Sequence, residues 1–251
     1  AINNNIFDPD QPIEIPRRLK LNDKIISDYK SYEKLSPKEI IAFSSQVGAS
    51  KIALMLGYDE LKTAYYDFGF SKPISINFPS AAFGIMNIKE KISDKELASL
   101  GYGYGLTISP FQIASAYSVF ANKGIYKDFK LLKNDEVTKS RIISADSAKH
   151  TLEALKNVVS IGTGKMADIR GYTEGGKTGT VHKTSYGKGY ADDSYRASFV
   201  GIAPLSNKSL TIFVSIEEPG LNAYSGGMVA APLFKKIADS SLNYLGYSED
   251  E

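Results

Sequence analysis

Near Gly175 the apolar pattern of the chain changes period, and this change restricts the fold more than any other feature of the sequence. Before it, apolar residues recur at helical spacing behind clear start signals. Ser36-Pro37-Lys38-Glu39, Ser93-Asp94-Lys95-Glu96 and Ser109-Pro110-Phe111-Gln112 each place a capping serine three residues before Glu or Gln. Such a pair satisfies two orphan backbone donors at a helix start, and Pro37 and Pro110 suit the first helical position. A second helical pattern follows Ser44-Ser45-Gln46 and stops at Gly57, and another carries Ile113, Ala116, Tyr117 and Phe120 before Asn122 to Gly124 end it. Ser144 is expected to cap a helix containing Leu152, Leu155 and Val159. After Gly175 the segments KTGTV, RASFVGIA and LTIFVSIEEP are short β-rich runs separated by turn residues. Phe199 to Ile202 and Ile212 to Ile216 are almost continuously apolar, which suits strands covered on both faces. A last helix is expected from about Pro232, with Leu233, Ile237 and Leu245 in phase. Helices, then strands, then a closing helix argue for an α+β architecture. With neither repeats nor a low-complexity linker, residues 1–251 read as one domain.

The composition excludes several classes of function. A net charge of +2 over 251 residues gives no strong pull toward nucleic acid or acidic membranes. The chain has no cysteine, so there is no disulfide framework and no thiolate metal site. Its two histidines, His150 and His182, argue against a histidine-based metal centre. Tyr102 and Tyr104, set among Gly101, Gly103 and Gly105, have no Lys/Arg cluster beside them and read as loop packing, not as a base-stacking platform. No apolar run approaches the roughly 18 residues of a membrane span. The start at Ala1, without Met or a signal-like segment, leads us to expect a processed or excised piece with any anchor upstream.

The stretch RGYTEGGKTGTVHKT, Arg170 to Thr184, carries two motifs at once. Gly171, Gly176, Lys177 and Thr178 satisfy the phosphate-loop pattern, which needs a buried strand before it and a helix after it. Ala167 to Arg170 is no apolar strand, and Thr178 to Lys188 has no helical period, so that context fails. Lys177-Thr178-Gly179 also spells the K-T-G triplet of penicillin-recognising serine enzymes. That triplet belongs on an edge strand, where backbone pairs with an extended ligand. Gly179 permits close approach, Lys177 supplies positive charge, and Thr178 and Thr180 supply hydroxyl donors for a carboxylate.

Companion segments accompany the triplet in order. FSSQVGASKIALMLG is similar to the S-S-N segment of class B penicillin-binding proteins, with Gln46 where asparagine is usual. Gly101 to Tyr126, the segment GTGKMADIRGYTEGGKTGT, Tyr195 to Pro204 and Ser225 to Ala238 also resemble that family. The resemblance spans about Ile25 to Leu245 and is to a division- or elongation-type peptidoglycan D,D-transpeptidase. It implies a penicillin-binding/serine β-lactamase-like fold, an antiparallel sheet flanked by helices. It also implies that the first strands and the start of the S-x-x-K helix lie before Ala1, and that the piece alone folds poorly.

The resemblance further implies a serine acyltransfer reaction without metal or organic cofactor, on stem peptides ending in D-Ala-D-Ala, with β-lactams as acylating mimics. Ser44 would relay a proton toward the leaving nitrogen, and Gln46 would offer its amide to the substrate backbone. Lys177 would favour the neutral form of the S-x-x-K lysine by like-charge repulsion and help hold the substrate carboxylate. Thr178 and Thr180 would bind that carboxylate, with Gly179 between them, and the Thr180 N–H would form half an oxyanion hole. His182, two residues on, shares the face of Thr180; substrate contact and an exposed strand histidine both fit that position. His150 reads as structural. Three formal S-x-x-K matches exist, Ser27/Lys30, Ser31/Lys34 and Ser185/Lys188. The first two lack a following core helix, and the third lies after K-T-G, so the nucleophile is expected upstream. Tyr186 to Arg196 is expected to be a mobile hairpin loop. The resemblance also implies a bacterial inner-membrane protein with this domain facing the periplasm or cell exterior, and cell-wall synthesis or divisome partners. The alternative class is a non-catalytic wall-binding or β-lactam-sensing module; a serine β-lactamase fits the segments less well.

Overall fold

The computed structural model describes residues 1–250 except 71, 73–81, 83, 87–88, 186–188, 207 and 221. The backbone divides into two compact units, Ala1–Thr151 and Leu152–Glu251.

The first unit opens with turns and short ladders. Strand β1 (Ile13–Glu14) pairs antiparallel with β4 (Lys34–Leu35), enclosing the hairpin of β2 (Leu19–Leu21) and β3 (Lys24–Ile26). Helices α1 (Pro37–Phe43), α2 (Gln46–Leu56) and α3 (Tyr58–Asp67) follow. Next come β5 (Ile85–Met86), α4 (Asp94–Gly101), β6 (Leu106–Thr107), α5 (Pro110–Ala121), β7 (Ile125–Lys127), β8 (Lys139–Arg141) and α6 (Ala145–Ser160). The unit boundary falls inside α6. All three expected capping boxes form, at Ser36, Ser93 and Ser109, and Ser144 caps α6 through the Ser147 N–H at 3.0 Å. Local chemistry sets these starts: each serine oxygen takes an N–H that the helix itself leaves unpaired. Ile15, Ile26, Leu35, Ile40, Val47 and Ala98 form the core here. The tyrosines of the glycine-rich loop pack as expected: Tyr102 and Tyr104 meet edge-on at 5.4 Å, and the Lys24 ammonium sits over the Tyr102 ring. Among the described residues no helix is long and apolar enough to cross a membrane.

In the second unit, β9 (Gly175–Ser185), β10 (Gly189–Ala203) and β11 (Leu210–Glu217) form an antiparallel sheet in the order β11-β10-β9. The long α7 (Gly226–Leu245) packs on β10 and β11. Phe199 and Phe234 are fully buried, with ring centroids 5.0 Å apart. Burying one such ring contributes on the order of 2–3 kcal/mol.

Three local expectations are corrected here. Helix α7 begins at Gly226 behind Ser225, so Pro232 lies inside the helix and not at its start. Phe199 to Ile202 of β10 are buried on both faces, but β11 has only Val214 buried. Gly189 to Arg196 belongs to β10, with a register shift between Tyr190 and Tyr195, and not to a loop; Tyr186 to Lys188 lie outside the described residues.

The C-terminal residues clasp the turn before β9. The Asp250 carboxylate accepts the Thr173 N–H and Oγ1–H at 2.6 Å each and the Ser206 N–H at 3.2 Å. Tyr172 donates to the Tyr247 carbonyl at 2.9 Å. Burial alone would raise the Asp250 pKa, but the donated hydrogen bonds from Ser206 and Thr173 outweigh it and hold the pKa below its usual value. A depressed carboxyl stabilises the fold above its unfolded pKa of about 3.9, and that contribution is lost as pH falls through the lower folded value. Asp250→Ala is therefore expected to lower Tm at pH 7 by about 2–4 °C, for a loss of about 1 kcal/mol. The difference from wild type should shrink in thermal melts below about pH 3.

Candidate active site

In the first unit, the S-S-Q segment is the junction between α1 and α2. Helix α1 ends with Ser44 in the left-handed region, at φ 57° and ψ 44°, and the Ser45 N–H returns to the Ile40 carbonyl at 3.0 Å. This is a Schellman-type stop with serine where glycine is favoured. A non-glycine residue there costs on the order of 1 kcal/mol, so its surroundings must hold it in place. They do so through Ser45, which is 2% exposed. Its hydroxyl accepts the Gly48 N–H at 2.9 Å, capping α2, and donates to Asp28 Oδ2 at 2.6 Å. Asp28 Oδ1 accepts the Val47 N–H at 3.1 Å. One carboxylate thus anchors the start of α2, and a negative charge at a helix N-terminus is itself favourable. Ser44 and Gln46, on either side of the buried Ser45, are both exposed. The sequence reading singled out the exposed pair and missed the anchor. Ser45, three residues before Gly48, carried a local cap signature; Asp28 lies 17 residues away from Ser45 and had none.

In the second unit, Lys177, Thr178, Gly179 and Thr180 lie on β9, the edge strand of the described sheet. Thr178 is opposite Phe199, Gly179 opposite Ser198 and Thr180 opposite Ala197. A strand follows Thr178 where a phosphate loop needs a helix, so the nucleotide reading fails on structure as it did on context. Desolvation pushes the Lys177 ammonium down to about 8, and it donates to the Thr178 carbonyl at 3.1 Å. Thr178 Oγ1 is 2.8 Å from Thr163 Oγ1, and Thr180 Oγ1 accepts the Gly226 N–H at 3.0 Å. The first turn of α7 is therefore pressed against the triplet. A Cβ on Gly226 would stand 2.2 Å from the Ser198 carbonyl oxygen and 2.5 Å from that of Gly179. A Cβ on Gly179 would stand 2.5 Å from Ser198 Oγ. Backbone cannot yield as a flexible side chain can, so Gly226→Ala should cost about 2 kcal/mol in denaturant unfolding and displace Thr180. This contact explains why α7 begins on a poor helix former, ahead of the start expected near Pro232.

His182 meets Tyr195, its cross-strand partner, with the rings tilted and their centroids 4.5 Å apart, and Tyr195 stacks on Tyr224 at 4.4 Å. His150 lies in α6, apart in sequence from every motif. Neither Ser27/Lys30 nor Ser31/Lys34 opens a helix. Both serines are exposed in irregular backbone, and Lys34 is in β4. Ser185 closes β9, and Lys188 lies outside the described residues.

Comparison with known proteins gives a consistent result. The family model for the penicillin binding protein transpeptidase domain matches residues 1–239. The chain is 34% identical over 253 aligned residues to a probable peptidoglycan D,D-transpeptidase, PbpC, of Pseudomonas aeruginosa, covering 100% of this chain and 45% of that protein. It is 36% identical over 214 residues to the peptidoglycan D,D-transpeptidase FtsI of Buchnera aphidicola, covering 84% and 38% respectively. The chain thus spans less than half the length of these two curated relatives. Its fold superposes with a TM-score of 0.92 on the apo transpeptidase domain of penicillin-binding protein 3 from Burkholderia pseudomallei, at 32% identity, covering 100% of this chain and 77% of that one. The expected α+β penicillin-binding fold is the one observed, and the chain belongs to the penicillin-binding protein transpeptidase domain family.

Proposed function

We propose that this chain is part of a serine-type peptidoglycan D,D-transpeptidase. The observation that carries this reading is the K-T-G edge strand with Thr180 fastened to the N-terminus of α7. An oxygen that accepts the Gly226 N–H keeps its own proton to donate to a ligand carboxylate, and β9, outermost in the described sheet, offers backbone for an extended peptide.

In this reading a serine oxygen attacks the penultimate carbonyl of D-Ala-D-Ala. The C–N bond breaks, D-alanine leaves with a proton, and an ester remains on the enzyme. An amine of a second stem peptide then attacks the ester, and the serine regains its proton as the cross-link amide forms. Ser44 relays the proton to the leaving nitrogen, and Gln46 donates to the substrate backbone. Lys177, while protonated, attracts the substrate carboxylate and disfavours charge on the S-x-x-K lysine. Thr178 and Thr180 bind that carboxylate, and the Thr180 N–H contributes to the oxyanion hole. Gly179 gives the ligand access, and His182 contributes the exposed end of a ring cluster to the same strand. The nucleophile is proposed to lie outside residues 1–251, since Ser27 and Ser31 open no helix. β-Lactams are proposed to acylate it, and a bacterial inner-membrane location with divisome or other wall-synthesis partners is part of the same proposal.

The test is release of D-alanine from a D-Ala-D-Ala stem peptide by the full gene product. Release that a β-lactam blocks supports the proposal; intact peptide after long incubation, with an acceptor amine present, would count against it.

A further inference from the structure

We infer that Thr163 is a positioning residue for the carboxylate-binding hydroxyl of Thr178. This inference rests on the transpeptidase reading above. Thr163 is in the turn after α6, in no motif with an assigned role, and its Oγ1 lies 2.8 Å from Thr178 Oγ1. A hydroxyl has one proton to give. If Thr178 spends its proton on Thr163, it has none for a ligand. If Thr163 donates to Thr178, the Thr178 proton is free for the carboxylate, and the two bonds strengthen each other in series. A bound carboxylate therefore selects one direction of the pair, in which the Thr163 donor orients and polarises the Thr178 hydroxyl toward it.

The turn does not need the Thr163 side chain to hold its shape. The Ile161 and Gly162 N–H groups both donate to the Asn157 carbonyl, at 3.1 and 2.9 Å, and the Gly164 N–H donates to the Val158 carbonyl at 2.8 Å. On the other side the first turn of α7 closes over the same backbone: a Cβ on Gly227 would stand 2.3 Å from the Thr163 carbonyl oxygen. The hydroxyl is thus aimed by a scaffold that survives its removal. It is also exposed, so burial does not account for its position.

The experiment uses the full gene product and measures acylation rates by a penicillin and by the methyl ester of the same penicillin, which lacks the carboxylate charge. Thr163→Val is expected to slow acylation by the free acid about 5- to 10-fold, the effect of one lost neutral hydrogen bond that orients the Thr178 hydroxyl. The ester should be slowed less than about 3-fold, and Thr163→Ser should restore the acid rate. Thr163→Ala removes the hydroxyl a second way and must show the same preference of acid over ester. Thermal melts of all three variants are expected within about 2 °C of wild type. Wild-type acid rates in Thr163→Val, or equal losses on acid and ester, would overturn the inference and leave the transpeptidase reading intact. A wild-type protein that no β-lactam acylates would overturn both.

Discussion

Lys177→Ala in the full gene product is expected to reduce the rate of acylation by penicillin by about 10³-fold or more, the scale of losing a principal electrostatic group of an acyltransfer site. Lys177 sits on β9 where desolvation lowers its pKa to about 8. The protonated form attracts a carboxylate, so acylation should fall as pH rises through about 8 on account of this residue. Lys177→Arg, whose guanidinium keeps its charge at any such pH, should lose that alkaline limb while retaining part of the rate. The same shift has a stability consequence of definite sign. Between about 8 and the unfolded value of about 10.5 the unfolded chain binds more protons at this position, so stability rises with pH across that window. Below it the cost of the desolvated charge is fully present, and Lys177→Met should remove both the cost and the pH dependence. Stopped-flow acylation and denaturant melts from pH 6 to 10.5, windows set by these pKa values, check the two claims separately.

Asp28→Ala is expected to damage both stability and acylation, by a different route. Its carboxylate takes both the Ser45 hydroxyl and the Val47 N–H. Removing it strands a buried hydroxyl and weakens the cap of α2, together about 2–4 kcal/mol. Ser44, in its left-handed conformation, directly precedes Ser45 and the start of α2, so loosening that start displaces it. Acylation should therefore fall about 10- to 100-fold even in molecules that remain folded. Asp28→Asn retains a carbonyl oxygen for one of the two donors and should be intermediate in both respects. Unfolding in urea gives the stability loss, and acylation at a temperature well below the variant's Tm gives the functional one. A destabilised variant with an unchanged acylation rate would remove Asp28 from the account of the site.

What was legible in the sequence is what three or four adjacent residues decide. Ser36, Ser93 and Ser109 cap their helices because the partner is the N–H three residues on. Lys177-Thr178-Gly179 reads as a strand because the residues that follow it directly have no helical period, and β9 runs on to Ser185. What was not legible depends on residues that only folding brings together. Asp28 meets Ser45 across 17 residues and Thr163 meets Thr178 across 15. Neither pair has a spacing that local physics distinguishes. The start of α7 failed for a related reason. Gly226 and Gly227 are poor helix formers, and they are there because β9 and the Thr163 turn leave no room for a Cβ. Pro232, which reads as a helix start, is tolerated inside α7 at the loss of one backbone donor. The one-faced burial of β11 was equally hidden, since an apolar run does not say which neighbours cover it.

The most direct test of the central claim is covalent labelling by a penicillin, read by intact mass, on the chain of residues 1–251 and on the full gene product in parallel. The account predicts the mass of one opened β-lactam on the full product and none on the shorter chain. Label on the shorter chain would make one of its own serines the nucleophile. No label on either would contradict the transpeptidase reading and favour a non-catalytic binding module of the same fold.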